Sequence, residues 1–218
     1  LEHINRKGIL FVVSAPSGAG KTTLCRDVAR KVANLQYSIS HTTRQPRPGE
    51  INGVDYYFVD EAAFQEKIDT NDFIESAKVH GHFYGTSRES LSHRIDQGID
   101  VILDIDTQGA MILKKHYSEG VFIYVLPPSF EVLEQRLLDR GLDSNEEISR
   151  RLQKAREEIW NYRQYYYLVV NVEYSEALKK LESVIIAERI KMKQMDLAWI
   201  EETFIKHLSI KQDQGGGD

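Results

Sequence analysis

Between residues 9 and 32 the chain passes from an apolar run through a glycine-rich loop into a helical pattern. Ile9-Leu10-Phe11-Val12-Val13 is short, rich in strand formers and without polar alternation. A strand that is apolar on both faces needs cover on both faces, which is the position of a strand in a parallel sheet flanked by helices. It is followed by Ser14-Ala15-Pro16-Ser17-Gly18-Ala19-Gly20, a turn-rich stretch, and then by Leu24, Val28 and Val32 recurring every four residues, as on one face of a helix. Three more apolar runs, at 101–106, 121–126 and 167–171, are separated by helical stretches. Strands alternating with helices predict an α/β fold, a parallel sheet core carrying the glycine loop and flanked by helices.

Two segments depart from this alternation. Residues 38–98 carry Arg, Pro, Gly and Tyr clusters with short alternating pieces such as Asp55-Tyr56-Tyr57-Phe58-Val59, and read as an inserted mixed α/β unit. Residues 129–163 are strongly charged and helical, with Gly141-Leu142-Asp143-Ser144 as a break between two helices. The expected organisation is therefore core at 1–37, the inserted unit at 38–98, core at 99–128, the charged helical segment at 129–163, core at 164–208 and a disordered tail at 209–218. Residues 178–205 read as one or two amphipathic helices closing the core, with Ile190, Met192, Met195, Trp199 and Ile200 packing on the core in preference to a second subunit. A homo-oligomer stays open.

The 218 residues include 28 Lys plus Arg and 33 Asp plus Glu, a formal net charge of −5. That balance argues against a general binder of nucleic acid or anionic membrane. It leaves room for a small anion held by a few placed cations. A single cysteine, Cys25, excludes an intramolecular disulfide and a multi-cysteine zinc site, and reads as a small packed thiol. No apolar run approaches the roughly 20 residues that cross a bilayer, and the polar start shows no secretory signal. A soluble, cytoplasmic protein is the expectation. The seven histidines show no metal-ligand spacing.

The window Ala15-Pro16-Ser17-Gly18-Ala19-Gly20-Lys21-Thr22 matches the P-loop pattern except for Ala15 at its first glycine. Such a loop points successive backbone N–H groups into one concavity at a helix N-terminus, which suits phosphate. Lys21 is expected to reach the β- and γ-phosphates, and the Thr22 hydroxyl to ligate Mg²⁺. Asp104, at the end of an apolar strand, is placed where P-loop proteins often put an acid.

Ser40-His41-Thr42-Thr43-Arg44-Gln45-Pro46-Arg47-Pro48-Gly49-Glu50 sets two arginines three apart in a proline-stiffened loop. Arginine grips phosphate oxygens bidentately, and Tyr56 and Tyr84 can add phenolic donors. A triphosphate site beside a second arginine site implies phosphoryl transfer between two nucleotides. Glu75, in Phe73-Ile74-Glu75, offers a carboxylate that can accept from guanine N1–H and its exocyclic amine together, and adenine has no such paired donors on that edge. The Thr86 and Ser40 hydroxyls suit the remaining polar atoms.

In combination, residues 15–22, Thr-Thr-Arg-x-Pro-Arg-x-Gly-Glu within 40–50, residues 53–56, Phe73-Ile74-Glu75, Tyr84-Gly85 and Leu103-Asp104-Ile105-Asp106 with Gln108-Gly109 resemble the guanylate kinase family in order and spacing. The resemblance spans about residues 8–207. It implies Mg²⁺-dependent transfer of the γ-phosphoryl group of ATP to GMP or dGMP. It makes 38–98 the GMP-binding unit and 129–163 a lid. On the ATP side it implies Ala15, Pro16, Ser17, Gly18, Ala19, Gly20, Lys21, Thr22, Thr23, Arg136, Arg140 and, as an adenine-side contact, Asn171. Arg44, Arg47, Tyr56 and Tyr84 would hold the GMP phosphate, Ser40, Glu75 and Thr86 would read guanine, and Asp104 would help order that site. Lys21, Arg47, Arg140 and Arg151 would stabilise the transferring charge. Nucleic acid and membrane are not expected partners. The competing readings are a guanylate-kinase-like domain that binds peptides without catalysis, and a P-loop kinase acting on a phosphoribosyl acceptor.

Overall fold

The computed structural model describes residues 6–79, 81–139, 144–195 and 197–206. The chain enters on β1 (Leu10–Ser14), passes through the glycine loop into α1 (Lys21–Lys31) and reaches β2 (Leu35–Tyr37). An excursion follows through β3 (His41–Thr42), β4 (Tyr57–Phe58), α2 (Glu61–Asp69), β5 (Phe73–Val79), β6 (His82–Ser87) and α3 (Arg88–Asp96). The chain then returns on β7 (Asp100–Asp104), α4 (Thr107–His116) and β8 (Val121–Leu126). Next come α5 (Phe130–Asp139), α6 (Asn145–Ile159), a 3₁₀ turn, β9 (Tyr167–Val170) and α7 (Tyr174–Arg189). α8 (Leu197–Ile200) and a π-helical turn at Glu201–Ile205 complete the described chain.

Five strands form one parallel sheet in the order β2-β7-β1-β8-β9. Val12 of β1 lies opposite Leu103 on one side and Phe122 on the other. The period-2 alternation sends β1 side chains to two separate cores. Phe11 and Val13 join Leu24, Cys25 and Val28 of α1 and Ala177, Leu181 and Ile185 of α7. Leu10 and Val12 join Leu91 and Ile95 of α3, Ala110 and Leu113 of α4, and Phe122. Each fully buried Leu, Ile or Phe contributes about 1.5–3 kcal/mol. Cys25 lies inside the first of these cores, and burial pushes its thiol well above the ordinary range, as befits an inert packed group.

The excursion builds its own four-stranded sheet, β4-β3-β6-β5, parallel between β3 and β4 and antiparallel elsewhere. Its small core is aromatic: Phe64 of α2 lies 4.6 Å from Phe73 and 5.5 Å from Phe83, ring centre to ring centre. Asp60 caps α2 by accepting from the Ala63 N–H at 2.7 Å.

The expectation that the late apolar residues pack on the core is corrected. Ile190 is 69% exposed and Met192 67%, Trp199 is exposed, and Met195 and Ile200 are half-buried. The buried stripe Ala177, Leu181, Ile185 and Glu188 ends with α7. The elements beyond it are too short to lay a continuous face on the sheet, and Trp199 packs instead against Phe204 at 5.7 Å. The tail at 209–218, expected to be disordered, lies outside the described residues, as does the helix break at 141–143.

One buried charge ties the ends of the core together. The Asp100 carboxylate has no exposed surface and accepts from Arg6 Nη1 and Nη2 at 2.7 and 3.0 Å, Arg189 Nε at 2.6 Å and the Ile9 N–H at 2.8 Å. It joins the segment entering β1, the start of β7 and the end of α7. Removing it would strand two arginines, each mostly buried. We expect Asp100→Ala to lower unfolding free energy by about 3–5 kcal/mol, read by urea denaturation. A loss below about 1 kcal/mol, the scale of a surface pair, would show that the cluster adds little.

Candidate active site

The glycine loop leaves the carboxyl end of β1, the middle strand of the parallel sheet. Gly18 and Gly20 sit at φ of 95° and 87°, which a side chain would strain. A Cβ on Gly20 would also lie 2.8 Å from Asn171 Nδ2. Asn171, just past β9, donates through that same nitrogen to the Ala19 carbonyl at 2.9 Å, so the end of the last strand braces the loop. Thr22 and Thr23 are exposed on the first turn of α1.

Lys21 Nζ lies 2.6 Å from Asp104 Oδ1 at the end of β7 and donates to the Ile105 carbonyl at 2.6 Å. Burial alone would lower its pKa, but the Asp104 carboxylate outweighs that and holds it above the ordinary lysine value. The Asp104 side chain is itself buried, 4% exposed, and its other oxygen accepts from the Tyr37 hydroxyl at 3.4 Å.

The two helices after β8 bring further arginines to the loop. Arg151 of α6 is buried and donates to Ser17 Oγ through Nε at 3.1 Å and Nη2 at 2.6 Å. Arg136 of α5 donates through Nη2 to the Asn171 carbonyl at 2.9 Å. Its Nη1 and the Asn171 Oδ1 are buried polar atoms without a hydrogen-bond partner among the described residues. Arg140 lies outside the described residues.

In the inserted unit, Arg44 meets Glu50 bidentately, Nη1 to Oε2 at 2.9 Å and Nη2 to Oε1 at 2.8 Å. Its guanidinium lies 5.3 Å from the Tyr56 ring and 5.7 Å from the Phe58 ring. Glu50 also accepts from the Arg47 N–H at 2.7 Å, while the Arg47 side chain is exposed. Tyr56 and Tyr84 meet edge to face at 5.9 Å, and burial, with Asp104 behind it, raises the Tyr56 hydroxyl pKa. Ser40 is buried, and its carbonyl accepts from the Tyr57 N–H at 2.9 Å.

Glu75 is aimed by an irregularity in the β5–β6 ladder. The register shifts between Phe73 and Glu75, so that Phe73 opposes Ser87 while Glu75 opposes Thr86. A bulge of this kind redirects a side chain. Glu75 is 5% exposed, and its Oε1 accepts from Thr86 Oγ1 at 2.6 Å. Gly109, near the start of α4, is required by close approach. A Cβ there would stand 2.6 Å from Glu75 Oε2 and 3.2 Å from Asp106 Oδ1. Burial pushes the Glu75 carboxyl up to about 7, the Thr86 hydrogen bond opposes that shift, and the Asp106 charge adds to it.

Asp106 was not singled out as a site residue from the sequence. It caps α4, accepting from the Gly109 N–H at 2.8 Å, and lies between the fields of Lys21 and Glu75. The Asp-x-x-Gly spacing after a strand is the signal that could have found it. Glu50, which closes the 42–50 motif six residues from Arg44, was not given a role, and Tyr37 was missed because nothing local in the sequence ties it to Asp104.

The family model described as guanylate kinase matches residues 7–188. The chain belongs to the guanylate kinase family. It is 51% identical over 186 residues to the guanylate kinase of Geobacter sulfurreducens, an alignment covering 85% of this chain and 92% of that one. It is 48% identical over 190 residues to the guanylate kinase of Carboxydothermus hydrogenoformans, covering 87% and 93%. The crystal structure of guanylate kinase from Anaplasma phagocytophilum superposes with a TM-score of 0.79 at 32% identity, covering 93% of this chain and 97% of that one. That similarity covers both the parallel sheet and the second mixed sheet of this chain at the level of overall fold.

The raised Glu75 carboxyl has a consequence for stability. Its folded pKa, about 7, stands above the ordinary 4.5, so folding takes up a proton between those values. Its contribution to stability is fully present below pH 4.5 and is lost as pH rises through about 7. We expect Glu75→Gln, without nucleotide, to flatten that pH dependence and to be the more stable protein at pH 8 by about 3 kcal/mol, read by urea titrations at pH 5 and 8. An unchanged slope would show that the carboxyl titrates normally.

Proposed function

We propose that this chain transfers the γ-phosphoryl group of ATP to GMP, giving ADP and GDP. The observation that carries this reading is the buried Glu75–Thr86 pair. A carboxylate held by one hydroxyl in a nearly dry site needs further donors, and the paired N1–H and amine of guanine supply them. A ribose phosphate offers no equivalent planar pair of N–H donors, so that competing reading gains nothing from this site. Ser40 is the third group assigned to the base, with Asp106 beside it. Asp104 orders the site through Lys21.

The acceptor phosphate is assigned to Arg44, Arg47, Tyr56 and Tyr84. Glu50 and the rings of Tyr56 and Phe58 hold Arg44 in place before any anion arrives, which reduces the ordering cost of binding. The Arg47 side chain is exposed and can turn toward the anion.

On the donor side, residues 15–23 present the loop N–H groups and the start of α1 to the triphosphate. Lys21 spends two of its three N–H groups on Asp104 and Ile105, leaving one for a phosphate oxygen. Arg136 Nη1 and Asn171 Oδ1, buried without partners among the described residues, supply a donor and an acceptor suited to the nucleotide's polar edge. Arg151, on Ser17, and Arg140 complete the proposed cationic cover from the lid.

The donor set fits Mg²⁺ arriving with ATP. The Thr22 hydroxyl, exposed on the first turn of α1, offers a hard oxygen, which suits an ion whose remaining ligands would be phosphates and water. When bound, Mg²⁺ neutralises phosphate charge. Everything else follows from positioning: a GMP phosphate oxygen attacks the γ-phosphorus directly, so no protein nucleophile is needed, while Lys21 and the arginines offset repulsion between the two anions. Closure of the lid and of the GMP-binding unit would keep water from the γ-phosphate. Among the described residues no helix is long and apolar enough to cross a membrane. A cytoplasmic location and dGMP as a second acceptor belong to this proposal as well.

A coupled assay with ATP and GMP, AMP, UMP or a ribose bisphosphate tests the reading. Turnover is expected with GMP and almost none with the others, and little ATP hydrolysis without acceptor. Equal rates with AMP would overturn the guanine assignment. Glu75→Gln is expected to raise KM for GMP by about 10- to 100-fold, the scale of a charged hydrogen bond, and the wild-type KM is expected to climb as pH falls below about 7. A GMP KM unmoved by this substitution would remove Glu75 from the base site.

A further inference from the structure

Arg26 belongs to α1, the helix that begins with Lys21, but its guanidinium reaches out of the parallel-sheet core into the inserted unit. Nη1 lies 2.6 Å from Asp55 Oδ1, and Nη2 is 3.5 Å from the Asp55 carbonyl oxygen. The second carboxylate oxygen of Asp55 accepts from the Ile51 N–H at 2.7 Å, so the turn that presents Tyr56 is closed by the carboxylate that holds Arg26. The pair is shielded, with side-chain exposures of 26% and 17%, and such a pair is screened by salt less than an open surface pair. The other end of the connection is equally specific. The Arg26 guanidinium lies 5.3 Å from the Tyr37 ring centre, the Tyr37 hydroxyl donates to Asp104 Oδ2 at 3.4 Å, and Asp104 Oδ1 is 2.6 Å from Lys21 Nζ. Asp55, Arg26, Tyr37, Asp104 and Lys21 thus form a continuous series of contacts from the Tyr56 turn to the glycine loop.

We propose that Arg26 and Asp55 are positioning residues, an ionic strut between α1 and the Tyr56 turn that favours approach of the inserted unit to the glycine loop. The strut touches neither nucleotide. It acts by favouring the arrangement in which Tyr56 and Lys21 can serve two phosphates at once, so its loss falls on the acceptor. The inference rests on the assignment of Tyr56 to the acceptor phosphate made above.

The test compares Arg26→Ala, Asp55→Asn, the double substitution and Tyr56→Phe in the full chain, measuring kcat and both KM values. Either single strut substitution is expected to raise KM for GMP about five- to tenfold, with KM for ATP changed by less than about twofold, and the double substitution to be no worse than the poorer single. Asp55→Asn is isosteric and carries the same expectation should Arg26→Ala fail to fold. A merely structural role would lower the melting temperature and move both KM values together, and that result overturns the strut. So does a GMP KM within twofold of wild type in a folded single variant, or strict additivity in the double. A raised GMP KM in Tyr56→Phe beside a wild-type value in both strut variants overturns the strut alone. Wild-type GMP KM in all three overturns the Tyr56 assignment with it.

Discussion

β1 has no free surface. β7 and β8 take its backbone hydrogen bonds on either edge, and two separate apolar cores bury its alternate side chains. A strand enclosed in this way leaves only its two ends free, and at its carboxyl end the chain turns back into α1, which covers one face of the sheet. The glycine loop sits at that exit. Its backbone geometry therefore follows from the packing of the central strand, and the same packing fixes Asp104 at the end of the neighbouring β7, where it meets Lys21. Parallel sheets flanked by helices place ligand sites outside the carboxyl ends of their strands for this reason.

The electrostatics are local. A formal charge of −5 coexists with cations gathered around the loop, and each of them is held by something other than a phosphate: Lys21 by Asp104, Arg44 by Glu50, Arg26 by Asp55, Arg151 by Ser17. These partners keep the side chains in place before any anion arrives. Two carboxylates, Glu75 and Asp106, converge over Gly109, and the cost of burying that charge appears in the raised Glu75 pKa. Asp100 is the counterpart away from the site, a buried carboxylate saturated by two arginines and a backbone N–H that ties the core together.

Much of this was legible because it is local in sequence. In residues 10–31 the strand read from its unbroken apolar run, the loop from its glycines and the helix from its four-residue period, and the apolar run 121–126 marks the bounds of β8 without adjustment. The arginine pair at 44 and 47, Glu75 and Thr86 stood out by residue type and motif spacing. The two-residue strands β3 and β4 are too short for any period to show. The late apolar residues misled, since Ile190 and Met192 have the composition of a core face without a sheet surface to meet. Tyr37 was not legible because its partner Asp104 lies 67 positions away across the fold, whereas Asp106 and Glu50 have partners within six residues and were legible in principle.

By itself, the sequence determined the fold class and the chemical inventory, because strand burial, helix periodicity and glycine-loop geometry are set by neighbours a few residues apart. Only the tertiary structure decided which charges meet. Arg26 and Asp55 are 29 positions apart in the chain, Lys21 and Asp104 lie on different strand–helix units, and Arg151 stands 134 positions from Ser17. No local pattern encodes such pairings. They arise when the parallel sheet, the inserted sheet and the helices after β8 pack around one end of β1, where partial burial weakens solvent screening enough for a few ångströms of separation to matter.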